Sequence, residues 1–193
     1  MRLILVRHGQ SQADEGYQGN DPGLTDLGKQ QAERLGRWLR EYEPGITLLV
    51  SSTVRVARET TSIISRYVNA PVNLDDDLRE TERDLLMELP RLVHPADSGP
   101  HYYILPHDNY YQRFAEQTRR AMNRMLENPS AVKTVVAVCH SGTSSTMLRM
   151  LLRCHHLHIA MNHTAMHHLT WQDGLWDLRG VNYAPHLVPD LLS

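Results

Sequence analysis

The 193-residue chain carries 20 Lys and Arg against 22 Asp and Glu, a formal charge of -2, with 41% hydrophobic and 22% charged residues. These proportions are ordinary for a globular protein, and without a basic excess nucleic acid is not the expected main partner. No apolar run approaches the roughly 20 residues that cross a bilayer, Met1 to Arg7 is too short for a signal peptide's apolar region, and two cysteines give no disulfide framework; the expectation is a cytoplasmic protein with no membrane partner.

Arg2 to Val6 is an aliphatic run that reads as a buried strand, and it stops at Arg7-His8-Gly9. Gln10 to Gly23 is rich in Gly, Asn, Asp and Gln and reads as a loop. Thr25 can cap a helix to about Tyr42, with Leu27, Leu35, Trp38, Leu39 and Tyr42 near helical spacing, and Pro44-Gly45 stops it. Ile46 to Val50 reads as a second strand. Ser51-Ser52 then begins a helix through about Tyr67, with Val56, Ile63, Ile64 and Tyr67 on one face. Pro71 to Leu74 is a short third strand.

From Asp75 to Asp108 the pattern is lost among Pro90, Pro95, Pro100 and Pro106, as in an irregular insertion or lid. A helix from about Asn109 to Leu126 follows, then a strand from Thr134 to Cys139 and a helix from about Thr143 to Arg153. Met166 to Trp171 and Leu175 to Leu178 form a hairpin around Gln172-Asp173-Gly174. Strands alternating with helices predict an α/β fold. We expect a three-layer sandwich with a mostly parallel sheet flanked by helices, one domain spanning 1–193, with a lid at about 75–108.

Two strings share one physical design: Leu5-Val6-Arg7-His8-Gly9 and Val138-Cys139-His140-Ser141-Gly142. Each is an aliphatic strand that stops at a histidine and turns polar, and open α/β sheets place their functional crevice beyond the carboxyl ends of the strands. If the two strands are neighbours, His8 and His140 face each other with Arg7 beside them. A strand-end histidine alone is more often a packing residue, and Arg55 alone could be a solvated charge. Together, two imidazoles and two guanidiniums suit attack on a phosphoryl group.

Arg7-His8-Gly9 is followed by Leu24-Thr25 with Gly28 and Gln31-Ala32, by Ser51-Ser52 with Arg55, Ala57 and Thr60, by Leu78-Arg79-Glu80, and by His140 with Gly142. In that order these segments resemble the histidine phosphatase superfamily, the phosphoglycerate-mutase-like group. Asn162, Trp176, Asn182 and His186-Leu187 extend the resemblance to the C-terminal region. It implies His8 as a nucleophile that carries the phosphoryl group covalently. Arg7, Arg55, His140 and Ser11 are the expected phosphate ligands, and Glu80 the general acid, with Glu82 and Asp84 close enough to take that role instead. No metal and no cofactor are implied.

Two departures from the family pattern stand out. The family often has Asn six residues after the nucleophile, touching phosphate, where this chain has Asp14; many relatives have Gly four residues after the acid, where it has Asp84. A carboxylate repels phosphate unless protonated or paired, so either Asp14 points elsewhere or the site is modified. His155-His156, His158, His163 and His167-His168 are dense in one region, but their spacing matches no zinc motif and they are expected to be surface or structural.

The expected activity is a metal-independent phosphomonoester hydrolase acting on a small phosphorylated metabolite or a phosphoprotein. Mutase-type phosphoryl transfer and a catalytically silent phospholigand-binding scaffold are the alternatives, and a homodimer is left open. Specificity falls to Leu85–Tyr111, where Tyr102, Tyr103, Tyr110 and Tyr111 either form an aromatic wall or pack the lid, and His94, His101 and His107 offer polar contacts.

Overall fold

The computed structural model describes residues 1–81, 84–92, 109–127 and 133–193. Its strands are β1 (Arg2–Arg7), β2 (Ile46–Ser52), β3 (Val72–Asp75), β4 (Thr134–Cys139), β5 (Met166–Gln172) and β6 (Leu175–Tyr183). Its helices are α1 (Asp26–Tyr42), α2 (Arg55–Ile64), α3 (Leu85–Glu88), α4 (Tyr110–Leu126) and α5 (Ser141–Leu152). The strands make one mixed sheet in the order β3-β2-β4-β1-β5-β6. The β3, β2, β4 and β1 portion is parallel, and β5 and β6 continue it antiparallel.

Side-chain alternation explains the layers. Leu3 and Leu5 join Val135, Ala137 and Cys139 in a cluster with Met122 and Met125 of α4 and Met147 and Leu148 of α5. Ile4 and Val6 join Val136 and Val138 against Leu35 and Leu39 of α1 and Ala57 and Ile64 of α2. Helices therefore cover both faces, which is why the interior strands are apolar at nearly every position. None of the helices described is long and apolar enough to cross a membrane.

The structure moves several expected boundaries. Ser51 and Ser52 close β2 instead of opening a helix, and α2 begins only at Arg55. Within the expected loop, Gln12–Glu15 makes a 3-10 turn that Ser11 and Asp14 cap reciprocally. At the end of β3, Asp75 pairs with Arg124 of α4 and Asp77 with Arg120, each at 2.7 Å. Asp173 and Gly174 have φ of 52° and 81°, the pair of left-handed residues that a two-residue type I′ hairpin requires. Glu82, Tyr102, Tyr103, His94, His101 and His107 lie outside the described residues, as does most of the expected lid.

One close approach locks α1 onto the turn after β1. A Cβ on Gly28 would lie 2.2 Å from the Gln10 carbonyl oxygen, and one on Gly9 would lie 2.5 Å from the Gly28 carbonyl oxygen. Both contacts are with backbone, which cannot rotate away. Gly28→Ala should therefore cost about 2 kcal/mol by overpacking and lower Tm by roughly 4–8 °C in thermal unfolding. An unchanged Tm would show that the two segments can separate freely.

Candidate active site

The parallel register of β1 and β4 pairs Arg7 with Cys139, so the next residue of each strand is a histidine at the sheet's carboxyl edge. The His8 N–H extends the ladder by donating to the Cys139 carbonyl at 2.9 Å. The His8 and His140 rings meet edge to face with centroids 5.0 Å apart. Both imidazoles are buried.

His8 has a defined tautomer. Its Nδ1 lies 2.8 Å from the Gly9 carbonyl oxygen, which can only accept, so Nδ1 carries the proton and Nε2 keeps a lone pair. Burial lowers its pKa to about 4, so the ring is neutral at pH 7. His140 is likewise held neutral by burial and by the neighbouring His8 and Arg7. Its Nε2 is 3.0 Å from the Ser52 hydroxyl, which also accepts the Val54 N–H at 3.3 Å. Ser52 thus serves the site by holding a histidine.

The turn carrying His8 is clamped from several sides. Gly9 N–H donates to Thr60 Oγ1 at 3.1 Å, and Gln10 N–H donates to Gln31 Oε1 at 2.9 Å. Thr25 caps α1 by accepting from Gly28 N–H at 3.0 Å and donates its hydroxyl to Gln10 Oε1 at 2.7 Å. On the other side, Thr164 N–H reaches the Arg7 and His8 carbonyls at 3.1 and 3.2 Å. Thr164 sits at φ 56°, a conformation β-branched residues avoid. His186 Nε2, 3.0 Å from its hydroxyl, helps hold it there. His186, one of the C-terminal residues of the family pattern, thus supports the turn that carries His8.

Arg7 anchors Nη1 on the Met161 carbonyl at 2.6 Å, and Asp14 and Glu80 are the carboxylates that favour its charge. Glu80 accepts from Gly142 N–H, at the start of α5, at 2.7 Å and from Thr81 N–H at 3.1 Å. Those bonds favour the carboxylate, but burial outweighs them and raises its pKa. Arg7 and Glu80 border a cavity of about 410 Å³. Asp84, the other described candidate acid, also borders it but caps α3 by accepting from Leu86 N–H at 2.9 Å.

Arg55, expected among the phosphate ligands, makes its described contacts with other groups. Its Nε donates to Glu59 at 2.7 Å, its Nη1 to the Asp21 carbonyl at 3.1 Å, and the side chain is 43% exposed. The neighbouring charges that act on His8 are those of Arg7, His163 and Asp14. Arg55 opens α2 and spends its charge on the 21–24 loop, whose Leu24 N–H also binds Glu59 at 2.8 Å. Ser11 is occupied too, its N–H on Asp14 at 2.8 Å and its Oγ accepting from Ala13 N–H at 3.1 Å.

His163 is the residue the sequence reading missed. Its ring lies 5.8 Å from that of His8, and its Nε2 is 3.2 Å from Asp14 Oδ2. Its Nδ1 is 2.9 Å from the Ser193 hydroxyl. Burial holds this ring toward its neutral form; its Nε2 lies against Asp14 without forming a hydrogen bond, and its Nδ1 also faces the Ser193 backbone oxygen at 3.1 Å. The hydrogen bond that Asp14 does make is with the Ser11 N–H. His167 and His168 are both covered, because β5 is an interior strand, so of the two expected roles theirs is structural. Among the described residues no group of three or more His, Cys, Asp and Glu side chains is placed to hold a metal ion.

The family model described as "Histidine phosphatase superfamily (branch 1)" matches residues 3–184. The chain belongs to this superfamily. It is 39% identical over 83 residues to a glucosyl-3-phosphoglycerate phosphatase of Mycolicibacterium vanbaalenii, covering 42% of this chain and 36% of that one. It is 26% identical to the adenosylcobalamin/alpha-ribazole phosphatase of Escherichia coli, over 94% of this chain and 91% of that relative. Among solved structures, a phosphoserine phosphatase of Entamoeba histolytica in complex with 3-phosphoglyceric acid superposes with TM-score 0.72 at 20% identity, over 97% of this chain and 99% of the other. At that identity the superposition shows the fold alone.

The Asp14 and His163 pair generates a prediction. His163→Ala removes the ring that lies against Asp14, lets that carboxylate turn toward an anion beside His8, and should weaken inhibition by vanadate about tenfold, about 1.4 kcal/mol. Asp14→Asn in that background should restore most of the loss. Absence of rescue in the double variant would reduce His163 to a prop for the C-terminal segment.

Proposed function

We propose that the protein is a phosphomonoester hydrolase working through a phosphohistidine on His8. The observation that carries this reading is the orientation of His8: Nδ1–H is tied to Gly9, and a neutral Nε2 lone pair is left in a buried site beside Arg7 and His140. His8 Nε2 attacks phosphorus in line as the bond from phosphorus to the ester oxygen breaks. Glu80, whose burial favours its protonated form, gives that proton to the leaving oxygen. The resulting carboxylate takes a proton from water, whose oxygen attacks the phosphohistidine and releases phosphate.

Arg7 offers a planar fork to the equatorial oxygens. A dianionic phosphate also reverses the local potential at His140, favouring the protonated ring that donates to the same oxygens. These charges do the work a metal would otherwise do, so the reaction needs none. Nothing in the described site itself favours mutase over hydrolase chemistry. The retained histidine pair, with one ring poised as a nucleophile, argues against a silent scaffold.

His8→Ala should abolish turnover and the acid-labile phosphoenzyme. Arg7→Ala should cost on the order of 10²-fold in kcat/KM. Arg55→Ala, which removes a partly exposed ion pair, should cost less than about fivefold. Comparable losses for the two arginines would place Arg55 in the pocket during turnover. Activity should survive EDTA; loss on chelation restored by a divalent ion would overturn the mechanism.

The pH profile follows from the two titrating groups. Protonation destroys the nucleophile, so kcat/KM should fall as pH drops through about 4, where His8 titrates. It should fall again as pH rises through the raised pKa of Glu80, which then loses the proton it must deliver. An acid limb near 6.5, the value of an ordinary histidine, would contradict the assigned environment.

A further inference from the structure

One cation bordering the cavity has no role in the chemistry above. Gly142, Ser145 and Arg149 lie along one stripe of α5 and line the same cavity of about 410 Å³ as Arg7 and Glu80. Arg149 is 3% exposed. Its Nε donates to the Leu157 carbonyl at 2.6 Å and its Nη1 to Thr146 Oγ1 at 3.2 Å. The Tyr111 hydroxyl is its other hydrogen-bonding neighbour. Thr146 lies one turn earlier, so the side chain leans toward the start of α5, where Glu80 is bound.

All these partners are formally neutral, and a guanidinium has five N–H donors to place. Burying a charge with only neutral acceptors is costly, and the ordinary solution is a carboxylate in contact. Among the described residues none contacts Arg149. Glu80 is the acid that acts on it, but its carboxyl is held by the Gly142 and Thr81 N–H groups and makes no contact with the guanidinium. Asp84 is committed to capping α3. The described wall of the cavity thus has a cation at the phosphate end and a second one along α5, and its two carboxyls, Glu80 and Asp84, are each tied to backbone N–H groups and paired with neither.

We infer that this cavity receives the leaving group, and that Arg149 binds a second anionic group, a carboxylate or a phosphate, on the alcohol portion of the substrate. The inference rests on the phosphatase reading. It names the substrate class as phosphomonoesters of anionic alcohols, in place of neutral alkyl or sugar alcohols. A fixed guanidinium suits such a group because its fork binds carboxylate and phosphate oxygens in pairs.

The test is a matched set of esters: 3-phosphohydroxypropionate, propyl phosphate and the bisphosphate of 1,3-propanediol. The readout is the ratio of kcat/KM for each charged ester to that for propyl phosphate, which cancels general damage to the enzyme. The wild type should show a ratio of at least about tenfold for one or both charged esters, and the better one tells carboxylate from phosphate. Arg149→Met should bring the ratio close to one. Because a buried substitution can disturb folding, Ala160→Glu is the second variant: Ala160 is exposed on the rim of the same cavity, and the new charge should lower the ratio by repulsion. A wild-type ratio near one, or a ratio preserved in both variants, overturns the inference while leaving the phosphatase reading intact. If no ester is turned over and His8 is not phosphorylated, both fall.

Discussion

The in-register parallel pairing of β1 with β4 is the constraint on which everything else rests. It sets Arg7 opposite Cys139 and thereby makes His8 and His140 neighbours at one sheet edge. A slip of one residue would turn every side chain of β1 to the opposite face. The register is protected because both faces are buried, with Leu3 and Leu5 committed to one core cluster and Ile4 and Val6 to the other. Catalytic geometry and core packing are thus a single requirement, and each residue of the strand helps to aim the imidazole.

Around this edge the chain controls charge by burial more than by pairing. Two imidazoles stay neutral because desolvation and Arg7 oppose their protonation, and the same desolvation pushes the Glu80 carboxyl toward its protonated form. Asp14 accepts from the Ser11 N–H and lies 3.2 Å from His163 Nε2.

Much of this was legible in the sequence because its signals are local. Strand runs ending in histidine, Thr25 before α1, and Asp173-Gly174 in the hairpin each act through their immediate neighbours. What was not legible depends on long-range placement. Arg55 has a motif-like setting, yet its fate is decided by Glu59 and the Asp21 carbonyl. Ser52 looked like a helix cap because serine favours that role, but β2 runs two residues further than its aliphatic stretch. His163 sat in a cluster of histidines with nothing to distinguish it, since its partner Asp14 is far away in sequence. Tyr111, a candidate for an aromatic wall, is wholly buried with Leu85, Leu89 and Phe114, a distinction only packing makes.

The sheet order also governs when the molecule can become active. β1, near the start of the chain, finds its ladder partners only in β4 and β5, and the clamp at Thr164 and His186 comes with them. Pairing at such sequence separation is slow, because loop closure precedes the contacts that reward it. During synthesis the apolar stretch Leu3–Val6 emerges with both edges unpaired and waits for more than a hundred residues, an interval in which a sticky strand is open to association with other chains. Chaperone dependence and expression yield should therefore respond more to changes that hasten β4 or cover β1 than to equal gains in the stability of the helices.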